Sequence, residues 1–124
     1  MTFTFKSLAL AAALTLTGIS PMNAQSANEP VILINPFVVS AGSEDDAIAM
    51  WMQARDFLAT QPGYISTKLH RSLSSDATYT LINVAEWESM ETFRAATTAM
   101  RQSASIPRIE GVNGDPQLYS VIAE

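Results

Sequence analysis

"PGYISTKLHRSLSSDATYTLINVAEWES", residues 62–89, decides the fold. Pro62-Gly63 ends whatever precedes it, because proline removes a backbone donor and glycine accepts the left-handed conformation that closes a helix. Two runs rich in β-branched and aromatic residues follow, 64–73 and 78–87, separated by the polar turn "SSDA" at 74–77. Runs of this length and composition around a short polar turn predict an antiparallel hairpin. Strict alternation puts Ile65, Thr67, Leu69 and Leu73 on one face of the first run, with Tyr64, Ser66, Lys68, His70 and Ser72 on the other. In the second run Thr78, Thr80, Ile82 and Val84 alternate with Tyr79, Leu81, Asn83 and Ala85.

Upstream, Ala47, Met50, Trp51, Ala54, Phe57 and Leu58 recur at helical spacing, with Asp45, Gln53, Asp56 and Thr60 opposite. Ser43 is positioned to cap this helix, and Asp46 three residues on gives a box-like arrangement at its positive end. Before it, "PVILINPFVV" at 30–39 has strand length and composition. Pro36 inside this run has no amide donor and suggests a sheet edge or a bulge.

Downstream of the hairpin, Ser89 caps a second helix with a buried stripe of Met90, Phe93, Ala96, Thr97 and Met100. "QSASIPRIEGVNGDP", 102–116, reads as a loop and "QLYSVIAE", 117–124, as a last strand. The order is β-α-β-β-α-β. It predicts an α+β, ferredoxin-like domain in which two helices cover one face of a four-stranded antiparallel sheet. The uncovered face would carry Ile32, Ile34 and Val38, with either Ile82 and Val84 or Leu81 and Tyr79. An apolar face of that extent favours a homodimer packed sheet on sheet.

The first 24 residues, "MTFTFKSLALAAALTLTGISPMNA", have the layout of a cleavable signal peptide: Lys6, an apolar run from Leu8 to Leu16, and Ala24 before the cut. That run is shorter than the roughly 20 residues needed to span a bilayer. The expected organisation is signal peptide 1–24, linker 25–30 and one domain over 31–124, secreted or periplasmic, with no membrane association after cleavage. The chain has 124 residues and no cysteine, which excludes disulfides, thiol catalysis and thiolate metal sites. From residue 25 on, six Lys and Arg face twelve Asp and Glu, so no nucleic-acid surface is expected. Neutral or aromatic small molecules, or another protein chain, are the more natural partners. One histidine and the acidic "EDD" make no metal cluster, and neither a Gly-rich nucleotide loop nor a Gly-x-Ser-x-Gly elbow occurs.

With the element order, the stretches "LINPFVV", "PGYISTKLHRSL" and "LINVAEWES" make the chain resemble the antibiotic-biosynthesis monooxygenase family, small domains that form dimeric α+β barrels. The likeness runs from Val31 to about Met100. The resemblance implies several activities: cofactor-free oxygenation of phenolic or anthrone-type compounds, quinol oxidation, haem degradation, or no assigned reaction. In the cofactor-free oxygenases the deprotonated substrate itself reduces dioxygen, so the protein supplies a dry pocket and groups that take a proton or stabilise an anion. The haem-degrading branch pairs a first-strand Asn with a Trp and a His in the second helix. Asn35 matches the first, but no histidine follows His70, which disfavours haem. No cofactor is expected.

Asn35 lies in register with Val31, Leu33 and Phe37, an apolar face where an amide needs a partner. It either holds a substrate oxygen or satisfies backbone beside Pro36. His70 is either a general base or one member of a solvated polar row; alternation separates it from Arg71. On the catalytic reading Asn35 stabilises the anion, His70 takes the proton, and Phe37, Trp51, Phe93 and Trp87 enclose the ring. On the other, the same aromatics are core and the protein is a non-catalytic binding or stress-related protein. The test between them is whether Asn35 and His70 converge on one cavity.

Overall fold

A computed structural model describes residues 28–124; the expected signal peptide and the first residues of the linker lie outside them. The chain forms β1 (Val31–Val39), α1 (Glu44–Leu58), β2 (Tyr64–Arg71), β3 (Leu81–Trp87), α2 (Met90–Ser103) and two short strands, β4 (Val112–Gly114) and β5 (Gln117–Tyr119). All pairings are antiparallel, in the order β2-β3-β1-β4, with β5 also on β1. The fold is the expected α+β, ferredoxin-like one.

Four expectations change in detail. The last strand is 112–119 rather than 117–124, and it is broken in two. Its pieces keep one register on β1, Phe37 opposite Gly114 and Ile34 opposite Gln117. The break falls where Pro36 has no amide to give: the Asp115 amide donates to the Pro36 carbonyl at 3.0 Å, and nothing returns. Pro36 therefore marks neither an edge nor a bulge, because β1 is an interior strand.

The bulge lies in β2 instead. Tyr64 pairs with Trp87 and Ser66 with Glu86, so Ile65 is the extra residue. Its side chain is exposed, and Tyr64 turns inward with Thr67 and Leu69. Tyr64 thus does not share a face with His70, as strict alternation had it. Leu73 lies beyond the end of β2 and is fully exposed.

The two helix starts also differ. Ser89 accepts a hydrogen bond from the Thr92 amide at 3.0 Å, the expected cap. Ser43 makes no side-chain cap; its hydroxyl is directed to the Glu110 carbonyl at 3.5 Å. After α1 the chain turns through Gly63, which has φ +89° and lies so close to α2 that a Cβ there would come within 2.3 Å of the Thr92 side chain.

The inward faces of β1 and β3 align Val31 with Trp87, Leu33 with Ala85, Asn35 with Asn83 and Phe37 with Leu81. Two apolar clusters result. Val31, Leu33, Ala85, Trp87 and Ala96 form one; Phe37, Ala47 and Leu81 form the other. The amide row Asn35–Asn83 falls between them. On the opposite sheet face Ile32, Ile34, Ile82 and Val84 are half-buried, and Val38 and Tyr119 are exposed.

Candidate functional site

Where the amide row divides the core, a cavity of about 280 Å³ opens between the sheet and the helices. This is close to the lower end of the roughly 300–1,000 Å³ typical of small-molecule sites. The sheet contributes Leu33, Asn35, Phe37, Tyr64, Thr67, Asn83, Ala85 and Trp87. α1 contributes Met50, Trp51, Ala54, Arg55 and Leu58, α2 contributes Phe93, Thr97 and Met100, and Ile106 and Pro116 complete the wall.

Trp87 is almost fully buried, and its ring meets those of Tyr64 and Phe93 edge-on, each at 5.6 Å between centroids. The β2 bulge makes this stack possible, because it leaves Tyr64 inside while resetting the strand's phase beyond it. The stack closes one end of the cavity with rigid aromatic surface.

The polar groups are few. The Thr67 hydroxyl donates to Asn83 Oδ1 at 2.6 Å. That bond fixes the acceptor end of the Asn83 amide and leaves its nitrogen as the donor available to a guest. Asn35 Oδ1, across the strand pair, is buried and has no hydrogen-bond partner. Gly114 is what makes room for it: a Cβ there would lie 2.8 Å from Asn35 Oδ1 and 2.8 Å from the Phe37 ring. An unsatisfied buried acceptor costs about 1–3 kcal/mol, and a guest hydroxyl in the cavity can supply the missing donor.

Of the six residues singled out from the sequence, Asn35, Phe37, Trp51, Trp87 and Phe93 line this one cavity. His70 does not. It lies on the other face of β2, exposed, with Nδ1 3.2 Å from the Ile82 carbonyl oxygen, and it borders hollows more open to solvent instead. Arg71 forms an ion pair with Glu44 at the start of α1, so the two neighbours share no task. Asn35 and His70 therefore do not converge, and the described residues of the lining include no imidazole or carboxylate. It does not fit the Asn-Trp-His arrangement of a haem-degrading site, because the single histidine is outside the cavity. Asn83, Thr67, Tyr64 and Arg55 were not singled out as site residues. An amide flanked by Leu81 and Ala85 is a usable signal for Asn83 once its face is known, whereas Tyr64 depends on the bulge.

Comparison with known proteins agrees with this fold. A model of the antibiotic biosynthesis monooxygenase family matches residues 30–105. A protein of solved structure from Shewanella loihica PV-4, provisionally described as a monooxygenase, is 50% identical, with 77% of this chain and 97% of that chain covered and a TM-score of 0.71. SnoaB, a cofactor-independent oxygenase from Streptomyces nogalater, is 22% identical over 77% of this chain and 96% of its own, with a TM-score of 0.58. The heme-degrader MhuD from Mycobacterium tuberculosis, solved with two hemes in its active site, is 21% identical over 76% and 97%, with a TM-score of 0.58. At these identities the last two likenesses show the fold alone. No curated protein matches the sequence. A family model that spans well over half of the chain, together with a relative at 50% identity, carries the conclusion: the chain belongs to the antibiotic biosynthesis monooxygenase family.

Proposed function

We propose that the protein is an exported, homodimeric, cofactor-independent monooxygenase acting on a small phenolic compound of quinol or anthrone type. The observation that carries this reading is the partnerless Asn35 Oδ1, set with Asn83 and Thr67 as a polar row inside a predominantly aromatic and aliphatic cavity. A phenol hydroxyl donates to Asn35 Oδ1 while its ring lies among Phe37, Trp51, Trp87 and Phe93. After ionisation the phenolate accepts from the Asn83 amide nitrogen, and a half-turn of the Asn35 amide offers a second N–H. The apolar walls exclude water and admit dioxygen, which the electron-rich anion reduces. For an anthrone the balance is CH₂ plus O₂ giving C=O plus H₂O. Among the described residues the lining holds no carboxylate or imidazole, so the proton passes to water at the open mouth of the cavity.

The test is dioxygen uptake by the purified protein with a panel of anthrones, phenols and quinols, comparing wild type with Asn35→Ala and Asn83→Ala. Uptake lost in both variants supports the reading; uptake indifferent to both, or none from the wild type, refutes it. Binding without uptake would instead favour a non-catalytic binding protein in the same cavity.

Export rests on the leader-like residues 1–24. N-terminal sequencing of the native protein should begin near Gln25, and an intact Met1 would refute it. The homodimer rests on the apolar sheet face of Ile32, Ile34, Val38, Ile82 and Val84, which no described element covers. Light scattering at micromolar concentration should give twice the chain mass.

A further inference from the structure

Arg55 carries the only full charge among the described residues that line the cavity. It sits in the last turn of α1, its guanidinium carbon 5.3 Å from the centre of the Trp51 ring and its side chain 38% exposed. The residue thus belongs both to the cavity wall and to the solvent-exposed surface, with its guanidinium held over the Trp51 ring. The Nε–Nη2 edge already grips a carboxylate: both nitrogens donate to Asp56 Oδ1, at 3.1 and 2.9 Å. Asp56 is 71% exposed, so its release to water in exchange for another carboxylate costs little. The remaining guanidinium N–H groups are also free to pair with a second one.

We propose that Arg55 sets the substrate class of the cavity as an aromatic compound bearing a carboxylate, with the ring among the aromatic walls and the acid group at the mouth. The inference rests on the cavity being the substrate site, as proposed above. The chain's overall charge argues that any such preference is local. At a formal net charge of −5 the protein as a whole repels anions, and affinity for one must come from a nearby cation. An alternative use of Arg55 is to offset the negative end of the α1 dipole. That use would affect stability and leave ligand preference unchanged.

The test is calorimetric titration of the purified protein at pH 7 with 2-naphthoate and its neutral near-isostere 2-naphthamide. Wild type should bind the naphthoate about fivefold more tightly, the upper range of a partly exposed ion pair. Arg55→Gln should bring the ratio to about one by weakening only the naphthoate, and Arg55→Lys should keep most of the preference, since the charge is retained. Asp56→Asn, which removes the competing carboxylate, should strengthen naphthoate binding about threefold and leave the amide unaffected. Equal binding of the two ligands by wild type, or equal weakening of both by Arg55→Gln, overturns the assignment and leaves the cavity reading intact. Failure of wild type to bind either ligand overturns both. If Arg55→Gln does not fold, the Lys and Asn variants still decide the matter.

Discussion

Replacing Asn35 by Leu should make the protein more stable and inactive at once. Leucine has nearly the shape of asparagine, so its two methyl groups occupy the places of Oδ1 and Nδ2 beside Gly114 and Phe37. The native Oδ1 is buried without a partner, a deficit of about 1–3 kcal/mol that an apolar atom does not incur. Imperfect packing against the open cavity takes back part of that gain, leaving about 1 kcal/mol. For a domain of about 60–100 residues this raises the melting temperature by about 4–8 °C. Asn83→Leu is the internal control with the opposite sign. Asn83 Oδ1 accepts the Thr67 hydroxyl, and removing it leaves that hydroxyl unpaired at a cost of about 1–3 kcal/mol. Thermal unfolding followed by circular dichroism, at one fixed protein concentration, measures both. A lower melting temperature for Asn35→Leu, or equal shifts in the two variants, would refute the view that Asn35 is held in readiness for a guest.

Gly114→Ala puts a methyl group 2.8 Å from Asn35 Oδ1 and the Phe37 ring, closer than van der Waals contact. Displacing both should lower ligand affinity in the cavity about tenfold while costing about 1–3 kcal/mol of stability, read by titration and by melting. Ser89→Ala should cost about 1 kcal/mol through loss of the Thr92 cap, and Ser43→Ala a few tenths at most, because Ser43 caps nothing; paired denaturant titrations separate the two. Because the described residues of the cavity lining include no carboxylate or imidazole, kcat/KM for dioxygen uptake should rise with pH up to the pKa of the substrate's own phenol. His70→Ala should follow the same profile, and a loss of the alkaline limb in that variant would restore His70 as the base.

Both helices and the hairpin were legible because each is stated locally. Helical spacing, Pro62-Gly63 after α1 and Ser89 before α2 need no distant partner to be read. What escaped the sequence depends on residues far along the chain. The Ser43 hydroxyl is drawn away from its own helix by Glu110, 67 positions later. "VNG" at 112–114 resembles a turn and becomes a strand because β1 offers it a ladder. Asn35 stood out as an amide among Val31, Leu33 and Phe37. Asn83 did not, since either face of β3 could point inward until its pairing with β1 set Asn35 opposite it.

The single residue Ile65 settles the chemistry of the cavity. Tyr64 belongs inside, where its ring packs edge-on against Trp87. In an unbroken strand, residues at even positions would then follow it inward, and Ser66, Lys68 and His70 would face the helices. Such a site would be basic and could hold its own proton acceptor. The bulge shifts the phase by one, so Thr67 and Leu69 point inward and Lys68 and His70 point out. Thr67 then reaches Asn83, and the site that results is built from neutral amides and hydroxyls with one cation at its rim. Groups of this kind stabilise an anion once it exists but do not create it. On the function proposed above, ionisation is therefore a property of the guest, and an acceptable substrate is one whose own acidity brings its anion within reach of the working pH.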